Sequence, residues 1–364
     1  MAQYIYLIRH GRPELPGNGS CCIGNGTDLP LSAVGRRQAE ALVPAFADAS
    51  AIWCSPLRRS RETAEIMSGG TIPVQELAGL DEIGVGAWEG RSFAEIREAW
   101  PDVYDRRGED WSIPPVGGET LEAAADRMQA AILEMTSTTD GNVVAVSHEG
   151  SIRALVWRLM GLDTRADAMY RQPYGSITVI KYEYGAFSVT AAGKLADDVP
   201  TDEEIEEMWT RCATPQAVQA HCRAVCEECR YIFELLREAG HVLPWSTIRA
   251  AALLHDACRR SGREHPALAA ALLREQGYVK VARMVSHHHD PACNAGALDG
   301  VALLYLADKL ICGDQRVPLM QRFANSLEKC TTEEAKKNHH EQYKTAVRIR
   351  ERMEAIVAGT KEAM

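Results

Sequence analysis

The sequence predicts two domains of different class, an α/β half followed by an all-helical half, on three observations. At 364 residues and 46% hydrophobic, the chain is long enough and apolar enough to bury two cores. Up to about residue 195, short β-rich runs alternate with amphipathic helical stretches, the pattern of a sheet covered by helices on both faces. From about residue 200 the strand signals stop. The acidic stretch "LADDVPTDEEIEEM" (195–208), with its proline and its charge run, marks the join. The expected division is therefore an α/β three-layer domain with a mostly parallel sheet over 1–197, an acidic linker over 198–213, and an all-α domain with a helical extension over 214–364.

Strands are expected at "YIYLI" (4–8), "AIWCS" (51–55), "NVVAVS" (142–147) and "SITVIKYE" (176–183), where β-branched and aromatic residues cluster. Helices fall between them. They include "LSAVGRRQAEALVPAFA", with Ser32 as its N-cap, and "TLEAAADRMQAAILEM". Beyond the join, "STIRAAALLHDACRR", "HPALAAALLREQG", "GVALLYLADKLI" and "TTEEAKKNHHEQYKTAVRIRERMEAIVAG" read as helices, and no internal repeat is visible.

Bulk properties exclude several classes. A net charge of -10 with no Lys/Arg block argues against binding a nucleic-acid polymer. No run of about 18 apolar residues and no basic-apolar leader is present, so a cytoplasmic, membrane-free protein acting on a small substrate is expected. The eleven cysteines are unevenly placed and read as reduced thiols. Cys222, Cys226 and Cys229 have the spacing of an iron–sulfur triad, but they lie in one continuous helical pattern, which cannot wrap thiolates around a cluster. They are expected to pack as small hydrophobes.

In the first half, the residues that carry chemistry sit at the carboxyl ends of the expected strands, where a ligand crevice forms in such sheets. "LIRHG" ends one strand with Arg9, His10 and Gly11; "CSPLRRSRETA" follows a second; "VSHEG" ends a third at His148; "LDEIGVGAWEG" adds carboxylates in a glycine-rich loop. Two guanidinium forks and two imidazoles together make an anion site. An imidazole held there can attack phosphorus, and a facing carboxyl group can protonate the leaving oxygen.

These segments resemble the histidine phosphatase superfamily, the phosphoglycerate-mutase-like family, over about residues 4–195. The resemblance implies His10 as the phosphohistidine, Arg9, Arg59 and His148 as phosphate-binding residues, and Glu82 as the proton donor. "GGET" (117–120) is similar to the family's helix-opening stretch, and "CCIGNGTDLPLSAVGRRQAEAL" resembles the α-ribazole-phosphate phosphatase subgroup. One departure stands out: Glu149 follows the second histidine where relatives carry glycine, so an inward-pointing side chain there would lower phosphate affinity. The short segment between Trp88 and Gly118 favours a phosphatase over a mutase-type phosphotransferase. No cofactor is expected for this half.

The helical half carries a second set: His221, His255–Asp256 at the end of an apolar run, His265, "SHHHD" (286–290) and Asp308. Burying a histidine beside an aspartate is costly unless a metal or a partner accepts them. The order resembles the HD-domain phosphohydrolases over roughly 214–325. That resemblance implies His221, His255, Asp256 and Asp308 as ligands of a first divalent metal (Mn, Fe, Co, Ni, Zn or Mg). It adds His265 and one of His287, His288 and His289, with His288 favoured, for a second metal bridged by Asp256. The expected function is a bifunctional phosphohydrolase acting on small phosphorylated metabolites or nucleotides. The alternative is a histidine phosphatase controlled by a non-catalytic nucleotide-binding HD module.

Overall fold

The computed structural model describes residues 2–16, 21–47, 49–139, 141–165, 171–292, 296, 298–328 and 330–361. The chain divides into two compact units, Met1–Ala196 with Glu275–Gly277, and Asp197–Arg274 with Tyr278–Met364.

The first unit runs β1 (Gln3–Arg9), α1 (Ala33–Glu40), β2 (Ile52–Cys54), α2 (Arg58–Ser68), β3 (Val74–Glu76), α3 (Phe93–Ala99), α4 (Pro101–Glu109), α5 (Leu121–Thr138), β4 (Val143–Ser147), α6 (Glu149–Met160), β5 (Ile177–Glu183) and β6 (Ala186–Lys194). Its sheet has the order β3-β2-β4-β1-β5-β6. The first four strands pair in parallel, whereas β5 runs antiparallel to β1 and β6 antiparallel to β5. The expected mostly parallel sheet is thus a mixed one, because β5 and β6 form a hairpin through the Tyr184–Gly185 turn, with both residues at positive φ.

Side-chain alternation along β1 builds the layers. Ile5 and Leu7 join one core with Met128, Ile132 and Met135 of α5 and Ile152 and Leu155 of α6. Tyr6 points the other way and meets Phe46 edge-on at 5.5 Å. α2 covers that second face, where the Ser60 hydroxyl donates to the Val146 carbonyl at 2.9 Å. Ser32 caps α1 by accepting from the Gly35 N–H at 3.1 Å. Gly11 and Gly35 explain how β1 can end against this helix: a Cβ on Gly11 would lie 2.3 Å from the Gly35 carbonyl oxygen.

The second unit comprises α7 (Asp202–Arg211), α8 (Gln216–Glu238), α9 (Trp245–Leu254), α10 (His265–Glu275), α11 (Val279–Ser286), α12 (Gly300–Leu310), a two-residue ribbon Ile311–Cys312 with Gln315–Arg316, α13 (Leu319–Leu327) and α14 (Glu333–Lys361). The acidic stretch expected as a linker over 198–213 is the first helix of this unit. Thr201 and Glu204 form a reciprocal cap at its start, and its acidic first turn suits the helix dipole. Its other face buries Ile205, Met208 and Trp209 at i, i+3 and i+4, each burial contributing roughly 1.5–3 kcal/mol. Cys222, Cys226 and Cys229 lie in the unbroken α8 with their thiols in this core. No helix among the described residues is long and apolar enough to cross a membrane.

Candidate functional sites

The first cavity, about 410 Å³, opens at the carboxyl ends of the parallel strands and is lined by Arg9, His10, Arg59, Glu82, Glu149 and Tyr174 among others. β1 delivers His10 to it, 4% exposed. The His10 Nδ1 lies 2.7 Å from the Gly11 carbonyl oxygen, which can only accept. Nδ1 therefore carries the proton of the neutral ring, and Nε2 keeps a free lone pair. Burial, then Arg59 and Arg9, hold His10 well below the usual imidazole range, so the ring stays neutral and nucleophilic.

Each neighbour is fixed by its element. Arg59, in the first turn of α2 and 1% exposed, donates to the carbonyls of Thr27 at 2.8 Å and Gly24 at 2.9 Å. That loop is clamped in turn by Glu89, which accepts from the Gly24 and Gly26 N–H groups at 3.0 and 3.1 Å and from the Thr27 hydroxyl at 2.7 Å. Glu82 accepts from the N–H groups of Ile83 at 2.8 Å and Ser151 at 3.1 Å, at the start of α6. Burial pushes its carboxyl up, against the opposing pull of the Ile83 N–H, Arg59 and Arg9.

His148 sits between β4 and α6 with its ring centroid 4.9 Å from that of His10. Ser55 gives its proton to Asp81 at 2.6 Å, so the His148 Nε2, 2.8 Å from the same hydroxyl, must donate to it. The His148 Nδ1 is then the buried ring atom with no protein hydrogen-bond partner. Burial, His10 and both arginines hold His148 well below the usual range. An anionic ligand reverses the last two effects and favours a proton on that Nδ1.

Arg9 is held by Tyr174, 3.7 Å beneath its guanidinium carbon, by the Gln172 carbonyl at 2.6 Å, and by Glu149 at 2.8 Å. The departure at Glu149 therefore does point inward, and its carboxylate occupies a guanidinium edge that an anionic ligand needs. The five residues expected from the sequence, Arg9, His10, Arg59, Glu82 and His148, are brought together. Ser55, Asp81, Glu89, Gln172 and Tyr174 escaped that reading, although Asp81 and Glu89 stand in the quoted "LDEIGVGAWEG".

The second cluster is built from histidines that share one arrangement. Nδ1 of His221, His255, His265 and His288 lies 2.7, 2.8, 2.6 and 2.7 Å from the carbonyl oxygens of Gly313, Ala252, Gly262 and Val285. In the neutral ring each Nε2 is thereby the atom that carries the lone pair, and these atoms face two carboxylates. The His221 and His255 Nε2 atoms lie 3.2 and 3.7 Å from Asp308 Oδ1; those of His265 and His288 lie 2.7 and 3.6 Å from Asp256 Oδ1. The Nε2 atoms of His255 and His288 are buried without a hydrogen-bond partner. Burial keeps His288 down at about 4, neutral and able to ligate. For Asp308, burial works upward, but Lys309, His221 and His255 outweigh it and hold the carboxylate ionised.

The candidate ligand atoms fall into two groups, His221, His255 and Asp308, and Asp256, His265, His288 and His289, each within 4.8 Å. Of the three consecutive histidines, His288 is the one seated like the other ligand candidates. His287 Nδ1 turns to the Arg283 carbonyl and the Ser286 hydroxyl, and His289 Nδ1 lies 3.1 Å from the buried Lys309 ammonium. Lys309, 2.6 Å from Asp308 Oδ2, had no signal in the sequence beyond its place after Asp308. It leaves Oδ1 of that carboxylate to the histidines.

The pattern of the histidine phosphatase superfamily (branch 1) matches residues 5–194. The adenosylcobalamin/alpha-ribazole phosphatase of Escherichia coli (strain K12) is 29% identical over 181 residues, 48% of this chain and 88% of that protein. The 6-phosphofructo-2-kinase/fructose-2,6-bisphosphatase of Gallus gallus is 31% identical over 159 residues, 42% of this chain, which thus spans 32% of that relative's length. Among solved structures, Bacillus stearothermophilus YhfR is similar with a TM-score of 0.50 and 28% identity, covering 53% of this chain and all but 2% of its own. The matched segment holds the first cavity and ends before the second cluster begins. Matched over more than half of its residues, the chain belongs to the histidine phosphatase superfamily, whose homologues are phosphatases and so hydrolases.

Proposed function

We propose that the first unit hydrolyses phosphomonoesters of small metabolites through a phosphohistidine at His10. The carrying observation is the His10 Nδ1 contact to the Gly11 carbonyl, which leaves Nε2 free in a cavity that Arg9, Arg59 and Glu82 also line. Arg9, Arg59 and a protonated His148 bind the phosphoryl oxygens. The His10 Nε2 attacks phosphorus, the P–O bond to the leaving group breaks, and the Glu82 carboxyl protonates the departing oxygen. Ionised Glu82 then takes a proton from water, which attacks phosphorus and breaks the N–P bond. Inorganic phosphate and neutral His10 result.

The shifts fix the sign of the pH dependence. His10, lowered, remains neutral into the acidic range, while Glu82, raised, supplies its proton only below its own pKa. Thus kcat/KM for p-nitrophenyl phosphate is expected to hold through mildly acidic pH and fall as pH rises through the Glu82 value. Glu82→Gln loses about 10²–10⁴-fold in rate with an alcohol leaving group. A descending limb that persists unchanged in Glu82→Gln assigns the titration to the substrate phosphate and overturns the role of Glu82.

The Glu149–Arg9 ion pair gives a second expectation. Glu149 is about a third exposed, so its hold on Arg9 is worth only about 0.2–1 kcal/mol after screening. Glu149→Gln is expected to tighten inhibition by inorganic phosphate about two- to fivefold. An inhibition constant that stays the same or rises contradicts competition between carboxylate and phosphate.

The helical unit is proposed to be an HD-type phosphohydrolase that needs a divalent metal. The four histidines anchored through Nδ1 and the two orphaned Nε2 atoms fit such an ion. His221, His255, Asp256 and Asp308 would hold one ion, and His265 and His288 with Asp256 a second; the imidazole-rich donor set favours Mn, Fe, Co, Ni or Zn over Mg. When bound, the metal supplies an activated water and neutralises phosphoryl charge. The test is a phosphoester panel run with and without chelator on the full chain. Two activities with different substrates, one chelator-resistant and one chelator-sensitive, are expected. A panel with no chelator-sensitive member, together with a metal-free chain, favours a regulatory helical unit.

A further inference from the structure

We propose that Cys212 and Cys258 form an oxidisable dithiol, a modification site beside the His255–Asp256 segment that is independent of what the helical unit catalyses. Their sulfurs lie 2.8 Å apart, across 46 residues of sequence, and both thiols are free. Cys212 ends α7 and Cys258 follows α9 by four residues.

The approach is held from both sides. Trp209 Nε1 donates to the Leu253 carbonyl at 3.0 Å before the pair, and the Thr214 hydroxyl donates to the Ala257 carbonyl at 2.6 Å after it. Between Cys212 and Thr214, Ala213 adopts φ +47°, one of two non-glycine residues at positive φ among the described residues. An alanine accepts that strained conformation only when its surroundings impose it. Here the hydrogen bonds on either side turn the chain so that the two sulfurs meet. Closing to the about 2.05 Å of a disulfide takes less than about 1 Å of side-chain movement.

The chemistry balances with a hydroperoxide as oxidant. Cys212, half-buried and the more accessible of the two, reacts with hydrogen peroxide to give a sulfenic acid and one water. The Cys258 thiol attacks that sulfur, the S–O bond breaks, a second water leaves, and the disulfide forms. Overall, two thiols lose two electrons and two protons to one peroxide. The link ties the end of α7 to the backbone that carries His255 and Asp256. The other described thiols of this unit differ: Cys222, Cys226 and Cys229 are buried in the core, the half-buried Cys330 turns its sulfur to the Ser326 carbonyl at 3.8 Å, and Cys312 is exposed with no described thiol against it.

The test starts from the fully reduced full chain, treated with a few equivalents of hydrogen peroxide, alkylated, digested without reductant and read by mass spectrometry. The expected product is a Cys212–Cys258 linked peptide at least about ten times more abundant than any other cysteine pair, released by dithiothreitol. Cys212→Ser is expected to abolish it, whereas Cys312→Ser leaves it unchanged. Circular dichroism identifies a variant that fails to fold. Recovery of Cys212 as sulfinic acid with Cys258 still a free thiol, or a dominant link between other cysteines, overturns the proposal.

Discussion

His10→Ala is expected to reduce the chelator-resistant hydrolysis of p-nitrophenyl phosphate by at least about three orders of magnitude, with the chelator-sensitive activity unchanged. The size of the loss follows from what Nε2 does. Its lone pair is free because Nδ1 is committed to the Gly11 carbonyl, and the ring stays neutral between Arg59 and Arg9. Removing it leaves Arg9, Arg59 and Glu82 to bind phosphate with nothing to attack it. Phosphate is therefore expected to bind the variant with an affinity within a few-fold of the parent, which separates loss of the nucleophile from loss of the site. The ring is buried beside those of His148 and Tyr174, so a cavity forms and some stability is lost; His10→Asn, closer in size, controls for this. Retention of more than a tenth of the activity in both variants rules out a phosphohistidine at this position.

Much of the first site was legible because its residues are tied to strand ends. A run such as "YIYLI" specifies a buried strand, and whatever follows it on a parallel sheet reaches the ligand edge; Arg9 ends β1, His10 follows it, and His148 follows β4 in this way. The residues that orient them were less visible. Ser55, Asp81 and Glu89 act through hydrogen bonds across 20 to 100 residues of sequence, and nothing local distinguishes them from ordinary loop polar groups. β3 was missed because it is three residues long with two of them exposed, too short for an alternation to show. β6 was missed because its run "AFSVTAAGK" is rich in small residues and lies on the sheet edge. α7 was hidden by its own charge: acids crowd its sequence, yet Ile205, Met208 and Trp209 keep the helical period underneath. In the helical unit the identities of the histidines were readable, but the carbonyls that fix their tautomers were not, because backbone acceptors leave no mark in composition.

Asp256→Ala is expected to strip the helical unit of its metal and of the chelator-sensitive activity, leaving p-nitrophenyl phosphate hydrolysis at His10 within about twofold. Asp256 reaches three of the imidazoles: its oxygens lie 2.7 Å from His265 Nε2, 3.6 Å from His288 Nε2 and 4.0 Å from His255 Nε2. Burial works against its ionised form, but His265, His288 and His255 prevail and hold it well below the usual carboxylate range. Replacing it by alanine takes away the carboxylate that faces the Nε2 atoms of His265 and His288, so the set loses both a donor and one of the charges that offset a divalent ion. Metal content, measured on the chain as purified, is expected to fall at least about tenfold. Asp256→Asn keeps the shape and one oxygen donor but removes the charge; it is expected to bind metal more weakly than the parent and more tightly than Asp256→Ala. Equal metal content in all three proteins excludes Asp256 as a ligand. Loss of both activities in a chain that still melts like the parent shows that the two sites are not independent, and the bifunctional reading then fails even if the metal is present.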